Sequence, residues 1–349
     1  MGETHTVRFE PVGLEIEADE AETVLSAAFR QGLMLMHGCK EGQCSACKSF
    51  LLDGDVDLDR YSTFALPDFE EAEGWILLCR AHAYSDLEIE LINYDEEIIH
   101  GGVPPRTVQT RVEAVDELTH DIRLLRLTVL DDEPFEFKPG QYVDIGIPGD
   151  EGHHRSFSMA NTKGGLTPRG QTPRGQTPLE FMIKLYPGGR FSGLLADGSI
   201  RPGDELAVTG PYGVFTLRSS SPRRLLFIGG GAGMAPIVSL LRSLSESGTE
   251  REATYYYGAR TEMDLFHLDE LADLPAAFVP ALSEDSNGWA GETGLITDVV
   301  DRLEADCSEV DAYVCGPPPM VEAAIALLEA RGVPEAHIYF DKFTTTADE

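Results

Sequence analysis

Six cysteines occur in the 349 residues, and four of them carry a spacing with chemical meaning. Cys39, Cys44 and Cys47 occupy a nine-residue loop as C-x4-C-x2-C, and Cys79 follows after thirty-one further residues. Three thiolates on one loop and a fourth from afar form the ligand set of a 2Fe-2S cluster, in which each iron takes two protein sulfurs beside the bridging sulfides. Gly38, Gly42, Ser45 and Ala46 are small enough for the loop to lie close. Backbone N–H groups can then point at the sulfurs and favour the more negative, reduced state. Structural zinc is the competing assignment, but zinc sites usually pair two C-x2-C hooks and only one such hook is present. Inert buried thiols fit poorly, because three of the four crowd one polar loop.

Other residues suit phosphate and nucleotide contacts. Gly188-Gly189-Arg190-Phe191-Ser192 is a glycine-rich turn ahead of a short helical stretch, where N–H groups are open to phosphate. Roughly thirty residues earlier, Arg155-Ser156-Phe157-Ser158 ends a strand-like run. In isolation that run reads as a surface turn, and the later glycine turn adds to its weight. Arg224–Ile228 runs into Gly229-Gly230-Gly231-Ala232-Gly233-Met234-Ala235-Pro236, the strand, loop and helix start of a dinucleotide site. The strict G-x-G-x-x-G rule is not met, since Met234 and Pro236 stand where a third Gly or Ala belongs, and plain tight packing explains the glycines as well.

Tyr257-Gly258-Ala259-Arg260 ends the next strand, where an adenosine ribose would lie. Arg260 suits a 2′-phosphate, whereas Glu262 and Asp264 would repel one, which favours NADH over NADPH. Cys315 closes a later strand ahead of Gly316-Pro317-Pro318-Pro319-Met320 and is equally compatible with a buried free thiol. Histidines form no constellation; His153-His154 only border Arg155. Acidic residues number 60, too many for any carboxylate pair to suggest acid–base work. A nucleophile elbow, a zinc-protease helix and a phosphate-binding lysine loop are all absent from the sequence.

Such residues need scaffolds, and charge marks out three segments. Residues 1–100 hold 22 acids and 6 bases, residues 101–220 hold 15 and 13, and residues 221–349 hold 23 and 8. Gly101-Gly102-Val103-Pro104-Pro105 and Ser219-Ser220-Ser221-Pro222 break the chain at the same joints. The first segment opens with an alternating hairpin across Pro11-Val12-Gly13, then a helix over 21–31 and short strands near 50–52, 76–78 and 87–92. The middle segment has strand-like runs at 108–115, 122–130, 142–147, 179–185 and 205–209, spaced as in an antiparallel barrel. Between two of them lies a tandem TPRGQ repeat from Thr167 to Pro178, which reads as an expanded exposed loop. The last segment alternates strands at 225–228, 252–257, 277–280 and 312–314 with helices at 236–246, 293–303 and 320–331, the pattern of a parallel sheet covered on both faces.

Composition narrows the partners. A chain of 42% hydrophobic and 25% charged residues is neither disordered nor collagenous, and its length points to two or three domains. A net charge of −33 disfavours nucleic acid and anionic membrane, both polyanions. The longest uncharged run, Leu225 to Leu241, contains four glycines and Pro236 and does not read as a membrane span. The start, MGETHTVRFE, shows no secretory signal; Gly2 and Thr6 match the loose myristoylation pattern, but strand-like alternation follows at once. Unevenly placed cysteines suit a cytoplasmic chain with a cysteine-ligated metal at its front.

With CKEGQCSACKSFLLDGDV, LLCRAHAYSDLEIEL and the flavin and nicotinamide motifs on view, nearly the whole chain resembles the reductase components of soluble di-iron monooxygenases, such as the methane, phenol and propane enzymes. DRYSTFALPDFEEAEGWILLCRAHAY is most similar to the propane and related alkane or alkene group. The resemblance implies a multidomain fold: a β-grasp 2Fe-2S ferredoxin domain (α+β) over 1–98, an antiparallel β-barrel FAD domain over 104–220, and an α/β Rossmann-like NAD domain over 222–343. It implies Cys39, Cys44, Cys47 and Cys79 as cluster ligands. Arg155, Ser156, Phe157, Ser158, Gly189 and Ser192 would serve FAD, with Arg155 on the pyrophosphate and Ser158 near flavin N5, and with Phe157 replacing the family's Tyr.

Gly229, Gly230, Gly231, Gly233 and Arg260 would serve NADH, and Cys315 would stand by the reacting nicotinamide carbon. Phe340-Asp341-Lys342-Phe343 resembles the family's aromatic tail, with Phe343 able to shield the flavin, although a loose surface tail fits the residues equally. FAD over FMN comes from the resemblance alone. The implied activity is electron transfer from NADH through FAD and 2Fe-2S to the oxygenase (hydroxylase) component of a multicomponent monooxygenase. A reductase of an aromatic-ring-hydroxylating dioxygenase, or a non-enzymatic iron–sulfur regulatory or scaffold protein, are the alternatives; intact Arg155, Ser158, Ser192 and the 229–236 loop speak against the last.

The charge split gives a prediction. Residues 1–100 carry −16 against −2 for residues 101–220, so the front segment should dock on a basic patch of the oxygenase by long-range attraction. Added salt screens such fields beyond about 8–10 Å and should slow NADH-driven oxygenase reduction while NADH-to-ferricyanide turnover barely changes. A flat salt response would leave a mainly apolar contact around the Cys39–Cys47 loop, with the acids serving only solubility.

Overall fold

The computed structural model describes residues 2–163, 177–284 and 288–343, so the TPRGQ repeat lies almost wholly outside the described residues. The chain divides into two compact units, Met1–Pro105 and Arg106–Glu349.

In the first unit, Val7, Phe9, Ile16 and Ala18 face inward along β1 (Thr4–Glu10) and β2 (Leu14–Asp19), the hairpin that the alternation implies. Helix α1 (Val24–Arg30) buries Val24, Leu25, Ala27, Ala28 and Phe29. It starts later than residue 21 because Thr23 is its N-cap, the hydroxyl accepting from the Ser26 N–H. β3 (Lys48–Asp53), β4 (Val56–Leu58), α2 (Asp68–Glu73), β5 (Trp75–Leu77), β6 (Ala81–Ala83), β7 (Leu87–Glu90) and α3 (Glu96–Ile99) follow. Strand order β2-β1-β7-β3-β5, with β1 and β7 parallel and the other neighbours antiparallel, is the β-grasp arrangement. Helix α2 escapes apolar periodicity because it buries no residue; acids at Asp68, Glu70 and Glu71 in its first turn suit the helix dipole instead.

The second unit opens with β8 (Arg106–Thr119), β9 (Ile122–Val129), β10 (Tyr142–Gly146), β11 (His154–Ser158), β12 (Pro178–Lys184), α4 (Arg190–Ala196) and β13 (Glu205–Tyr212). All pairings are antiparallel in the order β11-β10-β13-β8-β9-β12, and a bridge between Met159 and Phe181 joins the two ends into a barrel. β8 outruns the expected 108–115 because register shifts after Val112 and Glu117 let it bend around the barrel.

The remaining elements are β14 (Arg224–Gly230), α5 (Met234–Ser247), β15 (Ala253–Ala259), α6 (Leu268–Asp273), β16 (Ala277–Leu282), β17 (Glu292–Thr293), α7 (Ile296–Leu303), β18 (Val310–Gly316), α8 (Pro318–Ala330) and β19 (Ile338–Lys342). They build a wholly parallel sheet in the order β17-β16-β15-β14-β18-β19. β18 is buried along its length, as expected of a strand covered on both faces. Helix α7 begins at Ile296 rather than residue 293, because Glu292 and Thr293 pair with β16. Phe340-Asp341-Lys342 is not a loose tail: it lies in β19, paired with Val314, Cys315 and Gly316.

Ile122, Leu124, Ala160, Met182 and Phe215 of the barrel side share one apolar core with Leu225, Phe227, Ile237, Leu240 and Leu241. That shared core explains why residues 106–349 form one unit even though they contain two sheets. Within it, Arg242 of α5 donates to Glu180 Oε2 of β12 at 3.0 Å, to the Ala160 carbonyl at 2.8 Å and to Glu270 Oε1 at 2.7 Å. Arg242 and Glu180 are both nearly fully buried. Glu180→Ala should therefore destabilise this unit by about 1–3 kcal/mol, since it removes one of the two carboxylates that hold a buried guanidinium. Urea unfolding followed at Trp289 in a Trp75→Phe background measures it; a loss near zero would mean that water reaches Arg242.

Candidate functional site

The cysteine quartet is assembled by register. Lys48 pairs with Leu77 where β3 runs antiparallel to β5, so Cys47, just before β3, and Cys79, just after β5, arrive side by side. The Leu78 N–H donates to the Cys47 carbonyl at 3.2 Å and ties the two ends. The loop reaches the other ligands through left-handed residues at Lys40, Gly42 and Ser45. A Cβ on Gly42 would stand 2.8 Å from the Cβ of Tyr61, so only glycine lets the chain pass there.

The sulfurs form two pairs. Cys39 interacts with Cys44, and Cys47 with Cys79. Cys39 is pushed down to about 6, first by its neighbour Cys44 and then by the N–H groups of Glu41, Gln43 and Cys44, while Cys44 is pushed up. Backbone N–H groups reach Cys39 Sγ from Glu41 at 3.4 Å and Gln43 at 3.2 Å, and Cys44 Sγ from Cys39 at 3.2 Å. A single tetrahedral zinc, with Zn–S of about 2.3 Å, would hold all four sulfurs within about 3.8 Å of each other. Among the described residues, the potential ligand groups with atoms mutually within 4.8 Å are Glu3–His5–Glu20 and His120–Asp121–Asp264, with no cysteine trio. Two thiol pairs cradled by N–H donors fit two irons rather than one zinc.

In the second unit, Arg155 and Phe157 lie on one pleat of β11, half-buried, and Phe157 packs on Phe191 of α4 with ring centroids 5.0 Å apart. Ser156 lies on the opposite pleat and donates to Asp144 Oδ1 at 2.6 Å, apart from the side that Arg155 and Phe157 share. Gly189 precedes α4, and Ser192 Oγ accepts the Tyr186 N–H at 3.2 Å. A guanidinium beside an aromatic ring and a glycine turn suits a flavin pyrophosphate and ring.

Strand order reverses between β14 and β18, the switch point where open α/β sheets bind nucleotides at the carboxyl ends of their strands. Gly229 pairs there with Cys315. Gly230 ends β14, and Gly231–Gly233 form a 3-10 turn into α5, with the Tyr257 hydroxyl donating to the Gly231 carbonyl at 3.2 Å. A Cβ on Gly233 would fall 2.3 Å from the Cys315 carbonyl oxygen, so glycine is required for this approach. Tight packing and an open nucleotide turn are thus both true of the loop. Arg260 lies just past β15, and its guanidinium meets Asp264 Oδ1 at 3.0 Å and Asp121 Oδ2 at 3.4 Å.

Cys315 is fully buried, and burial pushes its thiol well up. Its register partner Asp341 accepts a hydrogen bond from Ser158 Oγ at 3.2 Å, so the barrel end and the nucleotide sheet meet at Ser158, Asp341 and Cys315. Burial pushes the Asp341 carboxyl up to about 6, against the Ser158 bond that lowers it. Phe343 donates its N–H to the Gly316 carbonyl at 3.1 Å and packs on the shared core. Cys307 is buried among core residues of the opposite sheet face. Sequence reading misses Asp121 altogether and names Asp341 only as part of the tail motif, without its contact to Ser158. Each is one acid among 60, and only long-range pairing marks them out.

Three family models match the chain: a 2Fe-2S iron-sulfur cluster binding domain at residues 7–84, an oxidoreductase FAD-binding domain at 109–217 and an oxidoreductase NAD-binding domain at 227–325. The chain is 52% identical to the reductase component of propane 2-monooxygenase from Rhodococcus jostii (strain RHA1), across 100% of this chain and 94% of that one. It is 34% identical to the phenol 2-monooxygenase reductase component of Pseudomonas sp. (strain CF600), across 99% and 96%. A solved ferredoxin reductase of carbazole 1,9a-dioxygenase superposes with a TM-score of 0.74 at 31% identity, covering 98% of this chain and 99% of that one. The cofactors are therefore 2Fe-2S, FAD and NAD.

Asp341 gives a pH prediction. A carboxyl raised from 3.8 to about 6 binds its proton more tightly in the folded state. Its contribution to stability is full below the unfolded value and is lost as pH rises through about 6. Asp341→Asn should therefore stabilise the protein relative to wild type at pH 7.5 and not at pH 4. Denaturant midpoints at the two pH values decide it; an equal shift at both would mean that folding does not raise the Asp341 carboxyl.

Proposed function

Because this chain belongs to the family of monooxygenase reductase components, we propose that it takes hydride from NADH and delivers single electrons to a separate di-iron oxygenase of the propane-oxidising type. The observation that carries the reading is the meeting of Ser158, from the barrel, with Asp341 and Cys315 of the parallel sheet. It brings the candidate flavin and nicotinamide machineries within one hydrogen bond. Bound FAD would accept electrons as a pair and release them singly, which a one-electron 2Fe-2S cluster requires.

Each residue has a part. Cys39 and Cys44 would hold one iron and Cys47 and Cys79 the other. Arg155 would bind the flavin pyrophosphate, Phe157 would pack on the flavin, and Gly189 and Ser192 would serve its phosphates. Ser158 and Cys315 would line the hydride path, with Phe343 behind them. Gly229, Gly230, Gly231 and Gly233 would let the NADH pyrophosphate approach the backbone, with Arg260 at the adenosine end. Ser156 acts through Asp144 as a positioning residue. The domains we assign are 1–98, 104–220 and 222–343. No helix among the described residues is long and apolar enough to cross a membrane. Six free cysteines suit the reducing cytoplasm, where we place the protein. Identity of 52% to a propane enzyme's reductase against 34% to a phenol enzyme's favours an alkane-oxidising partner.

The test is Cys44→Ser. It should abolish NADH-driven reduction of cytochrome c and of the oxygenase, while ferricyanide, fed directly by flavin, is still reduced. Flavin content and iron analysis show that the variant is folded and what it has lost. Loss of both activities in a folded, flavin-loaded variant would break the linear path, and zinc in place of iron in the wild type would end the assignment.

A further inference from the structure

We propose that Asp121, carried by the barrel, sets nucleotide specificity: with Asp264 it clamps Arg260 between two carboxylates and denies that guanidinium to a 2′-phosphate. The inference rests on the reading of the chain as an NADH-dependent reductase and names the residues that impose the choice.

The end of the second strand of a dinucleotide fold is where the adenosine ribose is read. An acid there binds the 2′-hydroxyl, and an arginine accommodates a 2′-phosphate. This chain has the arginine in that place. Gly258 of β15 pairs with Gly230 at the nucleotide turn, Arg260 follows two residues later, and Tyr257 bonds to the turn itself. An unopposed Arg260 would welcome NADPH.

It is opposed from two elements. Asp264 uses Oδ2 to accept the Thr261 N–H at 3.0 Å, within its own turn, and turns Oδ1 to Arg260 at 3.0 Å. Asp121 divides its oxygens in the same way. Oδ1 accepts from Thr119 Oγ at 3.1 Å inside the β8–β9 turn, and Oδ2 faces Arg260 at 3.4 Å. Both carboxylates are thus pre-aimed by their own turns. Asp264 is held below the usual carboxylate range despite its burial, with the Thr261 N–H and Arg260 as the lowering contacts. Glu284 adds a third negative charge near Arg260, and its N–H donates to the Arg260 carbonyl at 2.9 Å. Lys184, at 3.3 Å from Asp121 Oδ2, is the second cation, and the His120 ring lies 3.4 Å from Arg260 and 3.8 Å from both Asp121 and Asp264. Three carboxylates against two cations leave a negative field that a 2′-phosphate dianion would enter at a cost, while a 2′-hydroxyl can donate to the same oxygens. Among the described residues Arg260 pairs with Asp121 and Asp264 rather than with Glu262, so the barrel supplies the second jaw.

The experiment titrates the flavin-loaded full chain with 2′,5′-ADP and with 5′-AMP by calorimetry, in wild type, Asp121→Asn, Asp264→Asn, and each with Arg260→Ala added. Asp121→Asn keeps the oxygen that the β8–β9 turn uses. It should raise affinity for 2′,5′-ADP about tenfold, while 5′-AMP, which loses an acceptor for its 2′-hydroxyl, should not gain. Arg260→Ala should erase the gain, and kcat/KM for NADPH over NADH should rise in parallel. Asp264→Asn should act in the same direction and guards against a folding defect peculiar to either site. If wild type prefers 5′-AMP but neither substitution alters the ratio, or if the gain survives Arg260→Ala, the clamp is wrong and the NADH reading stands. If wild type itself prefers 2′,5′-ADP, both are overturned.

Discussion

The apolar seam between the barrel and helix α5 fixes everything chemical in the second unit. Ala160, Met182 and Phe215 meet Ile237, Leu240 and Leu241 there. Two polar ties fix its register: Ser239 Oγ donates to the Asn161 carbonyl at 2.7 Å, and Arg242 reaches both Glu180 and the Ala160 carbonyl. Apolar packing alone tolerates sliding; a buried guanidinium with defined acceptors does not, because a shift leaves a charge unpaired in a dry place. The Ser158–Asp341 contact and the Asp121–Arg260 contact each join one sheet to the other. Both exist only while that seam holds.

The first unit solves a similar problem by a different route. Its four thiols come from one loop and from the end of β5, and the β3–β5 register sets the distance between them. Burial is uneven: Cys47 and Cys79 are enclosed, whereas Cys39 and Cys44 are part-exposed. An electron entering or leaving at this centre has its shorter way to solvent on the Cys39–Cys44 side. The loop there presents backbone N–H groups rather than charged side chains to its sulfurs.

Local signals made much of this legible. The cysteine spacing, the glycine loop after an apolar run, and the alternating hairpin at residues 4–19 are patterns within a few residues, and the structure builds from them. Element ends were less legible where a cap or a pairing decided them, as Thr23 does for α1 and the β16–β17 pairing does for α7. Helix α2 buries nothing and so leaves no apolar stripe to read. The chemistry missed in the sequence is all long-range. Asp341 matters because Ser158 lies 183 residues away in the chain, and Asp121 because Arg260 lies 139 residues away. Spacing and composition carry no trace of such meetings; only the register of folded sheets creates them.

The Met159–Phe181 bridge that closes the barrel begins one residue after Ser158. Asn161, two residues further on, stitches the same closure, accepting from the Glu180 N–H at 2.9 Å and donating to the Pro178 carbonyl at 2.8 Å. Barrel closure and the aim of Ser158 are therefore one structural event. A substitution between residues 157 and 161 that unfastens the wall also misdirects the hydroxyl. The turn at Gly188 has open space around it, but its left-handed backbone (φ +75°) holds it to glycine as well, by conformation rather than by packing.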